Sequence, residues 1–496
     1  MSISVRAKHT AANENFRIGW AEADITPPQP VLLAGMFHSR ISEEIRDRLV
    51  STVWVLDSGE DHVVFVGCDL ICISDELRDA VRSRLRHAAD GPDPMKVVLN
   101  ATHTHTGPEI RTNSRDADHI SGASGLELQA MPIEAYVAFA SDQIADAVNQ
   151  AWHAKSPGGI SYGLAHAVVG RNRRWVNAND QAIMGRVAPA VRDTFRHIEG
   201  GEDHSVNLIA AYDERGGLTG LVVNVACPAQ RSQSEFAVSA DWWHETRREL
   251  RRRFGEKLFV LPQCSAAGDQ YSFLLYETDA HARMLALLGR TEREESALRL
   301  ADAIEGVLPC LAGKIDRAPV LRHASITMEL PVFPLSEEDA RRAAEEAQAW
   351  RAELDKEWQA LDARPELRSE PRWYMNATKA YGRMKWSEEV VRRFERQQAV
   401  PSYATELHML RLGEVAIATN PFECYLDYGI EMKVRSPAIQ TFLVQLAGSG
   451  TYLPSPRSVA GGGYGSVPAS NPVGPEGGRQ LVEHTVQALR ELWERG

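Results

Sequence analysis

The chain has 496 residues and a mass of 55.0 kDa, enough for one large α/β domain or two ordinary ones. A hydrophobic share of 44%, a charged share of 25%, a net charge of −12 and a pI near 5.8 describe an ordinary globular protein and argue against a nucleic-acid surface. No window is apolar enough to span a bilayer, the N-terminus has no apolar core of signal-peptide length, and the six cysteines form no C-x-x-C pair. The expectation is a soluble, cytoplasmic protein with reduced thiols and no nucleic-acid partner.

Residues 1–15 read as a disordered tail, and 16–496 as a single catalytic domain. Arg17 to Ile25 opens the fold and Thr26-Pro27-Pro28 ends that first element. Val53–Leu56 and Val63–Val66 are β-branched runs around Ser58-Gly59-Glu60-Asp61, so they predict a hairpin. Glu76 to His87 predicts an amphipathic helix, and Val97-Val98-Leu99 a buried strand. Residues 107–130 read as a surface loop or lid, Pro132–Ala154 as a helix and Ile160–Val169 as a strand. The basic run Gly170-Arg171-Asn172-Arg173-Arg174-Trp175 is open to two readings, a solvated loop or a clamp for an anion or carbonyl. A second hairpin turns at Asp213–Gly217. Pro334 to about Gln398 is rich in Glu, Arg and Ala and predicts a helical hairpin outside the core, with solvated charged faces. The fold class expected is α/β: a mixed β-sheet core, flanking helices and this added hairpin.

One pattern organises the rest. Five times an apolar strand runs straight into a small or polar loop, at Asn100–His105, Asn224–Pro228, Gln263–Asp269, Asn420–Glu423 and Gly448–Tyr452. Sheets of α/β proteins collect their ligand loops at one edge, so His103, Cys227, Asp269, Glu423 and Tyr452 are expected to converge. Within the first loop, strand alternation predicts that His103 and His105 point to opposite sides.

These segments resemble the catalytic domain of the neutral, non-lysosomal ceramidases. The most specific piece is Asn100-Ala101-Thr102-His103-Thr104-His105-Thr106-Gly107-Pro108. Supporting pieces are Arg17–Pro27, Asn172-Arg173-Arg174, Ser239-Ala240-Asp241, Ala266-Ala267-Gly268-Asp269, Pro421-Phe422-Glu423 and Tyr452-Leu453-Pro454 with Tyr464. The resemblance implies a zinc-dependent amidase with one Zn²⁺ per chain. It implies that His103, Glu423 and Tyr452 are ligands, and that His105 and Tyr464 line the catalytic pocket. Asp269 joins the candidate catalytic set, and Arg173 and Arg174 are expected to orient a small-molecule substrate. The chemistry suits the residues, because N and O ligands around Zn²⁺ acidify water and polarise a carbonyl oxygen.

The sequence departs from the family's pattern. The family's second zinc histidine is missing from Asn224-Val225-Ala226-Cys227-Pro228-Ala229-Gln230. Cys227 as thiolate, or His244 one turn into a helix behind Asp241, are the candidates to replace it. A buried inert thiol and a helix-capping Asp241 are the plain alternatives. Tyr271 stands where the family has a catalytic serine. The chain also ends near the close of the catalytic domain, so no C-terminal β-sandwich is expected. Two further functions stay open: a carbohydrate-active enzyme using Glu235, Asp241, His244 and Asp269 beside Trp242 and Trp243, and a non-catalytic scaffold that has lost the metal. The long hairpin is compatible with a homo-oligomer.

Overall fold

The computed structural model describes residues 16–86, 90–111 and 128–494. The expected N-terminal tail and most of the expected 107–130 loop lie outside them.

Twelve strands build two sheets. In chain order they are β1 (Arg17–Asp24), β2 (Val50–Asp57), β3 (His62–Cys68), β4 (Val97–Ala101), β5 (Ser156–His166), β6 (Ser205–Asp213), β7 (Leu218–Val225), β8 (Phe259–Cys264), β9 (Leu321–Pro331), β10 (Ser402–Leu412), β11 (Val415–Thr419) and β12 (Gln440–Val444). Among the described residues the ten α-helices are α1 (Asp75–Leu85), α2 (Ile133–Ala154), α3 (Trp242–Phe254), α4 (Thr278–Leu288), α5 (Glu292–Ala312), α6 (Glu337–Ala363), α7 (Met375–Arg396), α8 (Leu426–Arg435), α9 (Pro456–Gly461) and α10 (Pro475–Glu494).

The larger sheet has the order β8-β7-β6-β5-β1-β2-β3-β4, and the smaller β9-β10-β11-β12. Both are mixed: β3/β4, β7/β8 and β11/β12 are parallel, and the other pairings are antiparallel. Both predicted hairpins form, as β2/β3 and β6/β7.

The sheets enclose one interior. Trp54, Leu56 and Phe65 of the large sheet and Ile417, Phe442 and Val444 of the small one share a single buried cluster. Alternate residues on the same strands, such as Val53, Val55, Val64 and Val66, face outward onto α1 and α2. Both faces are therefore covered, which is why β2–β4 read as continuous apolar runs. Helices α3 and α5 cover another part of the large sheet through Trp242, Leu250, Leu300 and Ile304. Helices α8 and α10 cover the small sheet through Tyr428, Met432, Leu481 and Val486. The large sheet curls until its two ends meet, and the Asn100 side chain on β4 donates to the Pro262 carbonyl on β8 at 3.0 Å.

The parallel pairs matter most for the site, because parallel neighbours deliver their loops to the same edge. Thr102 N donates to Cys68 O at 2.9 Å, which seats the β4 loop on the β3 loop. Ala229 N donates to Thr102 O at 3.2 Å, Ala101 N to Leu446 O at 3.3 Å and Gln445 N to Cys264 O at 3.0 Å. The loops after β3, β4, β7, β8 and β12 are thus bonded to one another. The predicted helical hairpin is α6–α7, and the Pro365 and Pro371 breaks fall between its arms. It is not confined to the outside, however. The Thr378 hydroxyl accepts from Ser39 N at 3.0 Å, and the Tyr374 hydroxyl accepts from Ile41 N at 3.0 Å. A Cβ on Gly382 would lie 2.5 Å from Phe37 O, so α7 presses directly on the 37–41 loop.

Candidate active site

A small pocket opens where these loops meet. Its walls include His103, His105, Glu423, Tyr452 and Tyr464, all expected from the sequence, together with Phe37, Cys72 and Arg111. A larger cavity of about 620 Å³ lies elsewhere, between α7 and β9–β10, and contains none of the expected residues.

His103 sits two residues beyond the end of β4 and has a positive φ of 64°. That left-handed backbone is uncommon for a residue with a Cβ and is concentrated at functional sites. It also overturns the expected alternation. The chain has left the strand and turned, so both rings enter one pocket, with His103 Nε2 and His105 Nε2 only 3.2 Å apart. His103 Nδ1 donates to Ile71 O at 2.8 Å. A carbonyl only accepts, so this bond keeps a proton on Nδ1 and leaves Nε2 as the ring atom that faces the pocket. A zinc-binding imidazole needs this arrangement.

Glu423 and Tyr452 reach the pocket from the loops after β11 and β12. They are direct partners in a two-residue parallel bridge, Glu423 opposite Tyr452 and Cys424 opposite Leu453. Glu423 Oε2 lies 3.3 Å from His103 Nε2 and 3.8 Å from the Arg173 guanidinium. Burial pushes the Glu423 carboxyl up, but His103, Arg173 and the Tyr452 hydroxyl more than offset it and hold the group below the usual carboxylate range. His105 is held neutral, its pKa pushed well down by burial and by the charges of His103, Arg40, Arg173 and Arg111. The Gln230 carboxamide lies against His105 Nε2.

The basic run proves to be interior. Arg173 is 5% exposed and Arg174 fully buried, which rules out a solvated loop. Arg173 donates to Gly268 O at 2.7 Å and lies over the Tyr452 ring, 5.3 Å from its centroid. It braces Glu423 and Tyr452 from behind. Arg174 is committed to structure: it forms a two-point ion pair with Glu199, at 2.5 and 3.0 Å, and donates to the carbonyls of Gly462 and Tyr464. Asp269 also acts from behind. Its carboxylate accepts from Leu426 N at 3.0 Å and Asn172 Nδ2 at 3.1 Å, and its carbonyl accepts from Arg173 N.

Neither candidate for the missing histidine is in the pocket lining. Cys227 belongs to the apolar cluster beneath α3, with its thiol on the Val169 and Pro228 carbonyls, and burial pushes that thiol up to about 12. Asp241 caps α3 through Trp242 N and also accepts from Ser232 N at 2.6 Å. His244 lies half-buried in the first turn of that helix. Glu235 pairs with Arg46. The carboxylates proposed for a carbohydrate-active site are therefore dispersed and already engaged. Tyr271, in the place of the serine, lies on the far side of Arg173, 5.9 Å from the guanidinium to its ring centroid.

Among the described residues, no three His, Cys, Asp or Glu side chains are grouped to hold a metal ion. The converging donors are two of those types, His103 and Glu423, plus the phenol of Tyr452. As an N, O, O set with the His103 ring already oriented by the Ile71 carbonyl, they suit zinc. Sequence reasoning missed Phe37, Cys72, Arg111 and Gln230. Arg111 is held by Glu109 in a two-point pair at 2.8 Å on each arm, and its Glu-x-Arg spacing was a legible but unspecific signal.

Fold and pocket together define an α/β protein of two mixed sheets whose loops gather imidazole, carboxylate and phenol at one edge. Residues 16–179 match the model of the family described as neutral/alkaline non-lysosomal ceramidase, N-terminal. Two solved structures share the fold. One is a ceramidase complexed with C2, at 15% identity and a TM-score of 0.66, covering 97% of this chain and 76% of that one. The other is the neutral ceramidase from Pseudomonas aeruginosa, at 15% identity and a TM-score of 0.64, covering 97% and 75%. None of the curated proteins compared with the chain matches it. Among the described residues no helix is long and apolar enough to cross a membrane.

Proposed function

We propose that the chain is a zinc-dependent hydrolase of amide bonds, acting on a small polar N-acylated substrate. The observation that supports this most directly is the meeting of His103 Nε2 with Glu423 Oε2 at 3.3 Å, beside Tyr452. His103, Glu423 and Tyr452 would hold the ion. When bound there, zinc polarises a carbonyl oxygen and lowers the pKa of water towards neutrality.

The remaining roles fall to the chain's own groups. Arg173 fixes the Glu423 carboxylate and the Tyr452 ring and so sets the geometry of two donors at once. His105, neutral and inside the pocket, carries a proton from the attacking water to the departing amine. Gln230 holds that ring in place. The closely packed walls exclude bulk water, which strengthens each polar contact inside.

Elemental analysis tests the reading. Purified protein should carry about one zinc per chain, as a single-site scheme requires, and His103→Ala and Glu423→Ala should each lose it. Chelation should abolish amidase activity. Activity that survives complete metal removal would sink the proposal.

A further inference from the structure

We propose that helix α4 is a docking face for a second copy of this chain, with the two α4 helices packed antiparallel across a two-fold axis. The interface does not depend on the reaction above.

Helix α4 has 11 residues, and Leu285 is its buried residue. Met284, Leu287 and Leu288 are 47%, 65% and 48% exposed, and Tyr276, just before the helix, is 60% exposed. Among the described residues no other helix or strand packs extensively against it. Helices shorter than about 12–15 residues are marginal in water without tertiary packing. An apolar helix with so little cover from its own chain calls for cover from outside it. Spacing sorts the exposed residues: Ala280, Met284, Leu287 and Leu288 stand at i, i+4, i+7 and i+8 and share one face. Residues 1–15 and 112–127 are polar in sequence and supply no apolar run to cover that face.

The charges name the occupant. Glu277 is the N-cap residue, yet its carboxylate caps no backbone N–H. Neither Glu277 nor Asp279 has an ion-pair partner among the described residues. Arg290, past the other end of the helix, is 41% exposed and reaches one carboxylate, Glu295, at 3.1 Å. A face with carboxylates at one end and a guanidinium at the other is complementary to itself once reversed, which is the condition a two-fold interface sets. With the axis between Arg283 and Met284, Glu277 meets Arg290 of the second copy, and the small Ala280 meets its Leu287. An anionic lipid surface would instead favour cations around the apolar face, and Glu277 and Asp279 oppose it.

A second exposed apolar pair, Ile430 and Val434 on α8, lacks these features. Its helix is packed on α10 and β12. The charges beside it are spent, Arg435 on Glu431 and Glu483 and Lys433 on Asp203.

A single helix pair falls at the low end of the roughly 1,200–2,000 Å² that stable interfaces bury. The dimer is therefore weak, with a dissociation constant on the order of 10 µM.

Sedimentation of the whole chain over about 1–100 µM, a range centred on that value, tests the interface. The parent should pass from monomer to dimer. Leu287→Glu should stay monomeric throughout; Met284→Glu should do the same and serves if Leu287→Glu does not fold, which circular dichroism reports. Glu277→Arg and Arg290→Glu should each associate at least about tenfold more weakly alone, because like charges then meet at both ends. An equimolar mixture of these two variants should return to within about threefold of the parent's affinity, because every end charge again meets its opposite. A parent that stays monomeric, a dimer that survives Leu287→Glu and Met284→Glu in folded protein, or a mixture no stronger than its separate components would overturn the proposal. A monomeric parent that binds phosphatidylglycerol vesicles, with binding lost in Leu287→Glu, would overturn it as well and give the face to a lipid surface.

Discussion

At Cys227 a single side chain separates two accounts of the proposed metal site. The thiol lies among Val223, Val225, Trp242 and Leu250 and donates to two backbone carbonyls. Held up at about 12 by burial, it stays a thiol at neutral pH, and only a thiolate binds zinc. Cys227→Ala should therefore keep its zinc and its activity within about twofold, and lose about 1 kcal/mol of stability, as small core truncations do. Metal analysis beside a urea melt checks this; zinc lost from a folded variant would restore Cys227 as a ligand. Residue types were legible here, and directions were not. His103, Glu423 and Tyr452 stand out because an apolar strand precedes each one. No spacing rule could show that His103 would adopt a left-handed backbone and bring His105 round beside it.

The elements show why the basic run was misjudged. Arg174 looks like a clamp because its partner Glu199 lies 25 residues further on, across a small three-stranded sheet. In the structure it ties that sheet to the 458–464 loop and so places Tyr464. Removing one member of a buried ion pair leaves the other charge uncompensated, at a cost of roughly 3–5 kcal/mol. Arg174→Met is expected to lower the unfolding free energy by about that amount and to raise KM more than it lowers kcat, because the wall moves while the donors stay. An unchanged urea midpoint would show that the pair is not holding the loop. The helical hairpin was legible as helices, from its composition and its two prolines. Its contact with the pocket was not, because Gly382 and Trp386 carry that contact and neither breaks the charged pattern around them.

Across the whole molecule, one buried network joins the two sheets. His323 on β9 bonds to His408 on β10 at 3.0 Å, and its backbone N–H donates to Asp61 in the β2–β3 turn. His408 in turn meets Glu406, which is paired with Arg82 of α1. Burial and the charges of His408 and Lys96 push His323 down to about 3, against the pull of Asp61. Between its ordinary value of 6.5 and about 3, the unfolded chain binds a proton that the folded chain refuses. Stability therefore falls as pH is lowered through that window. His38, pushed down to about 4 by burial and by Arg40 and Lys379, adds a slope of the same sign. The share from His323 between pH 7 and pH 5 should be about 1–2 kcal/mol, and His323→Gln should remove it. A variant whose urea midpoint falls with pH as steeply as the parent's would contradict this.

The site is assembled from distant parts of the chain. Phe37 and His103 come early, while Glu423, Tyr452 and Tyr464 come near the end. At roughly 5–20 residues added per second, the time between synthesis of His105 and of Tyr464 is on the order of half a minute. Through that interval the emerging protein holds half a pocket and no complete donor set. On the proposed function, a nascent or prematurely terminated chain is hydrolytically silent, and a protease cut anywhere before Tyr452 that releases the downstream piece would disarm the molecule without touching its histidines.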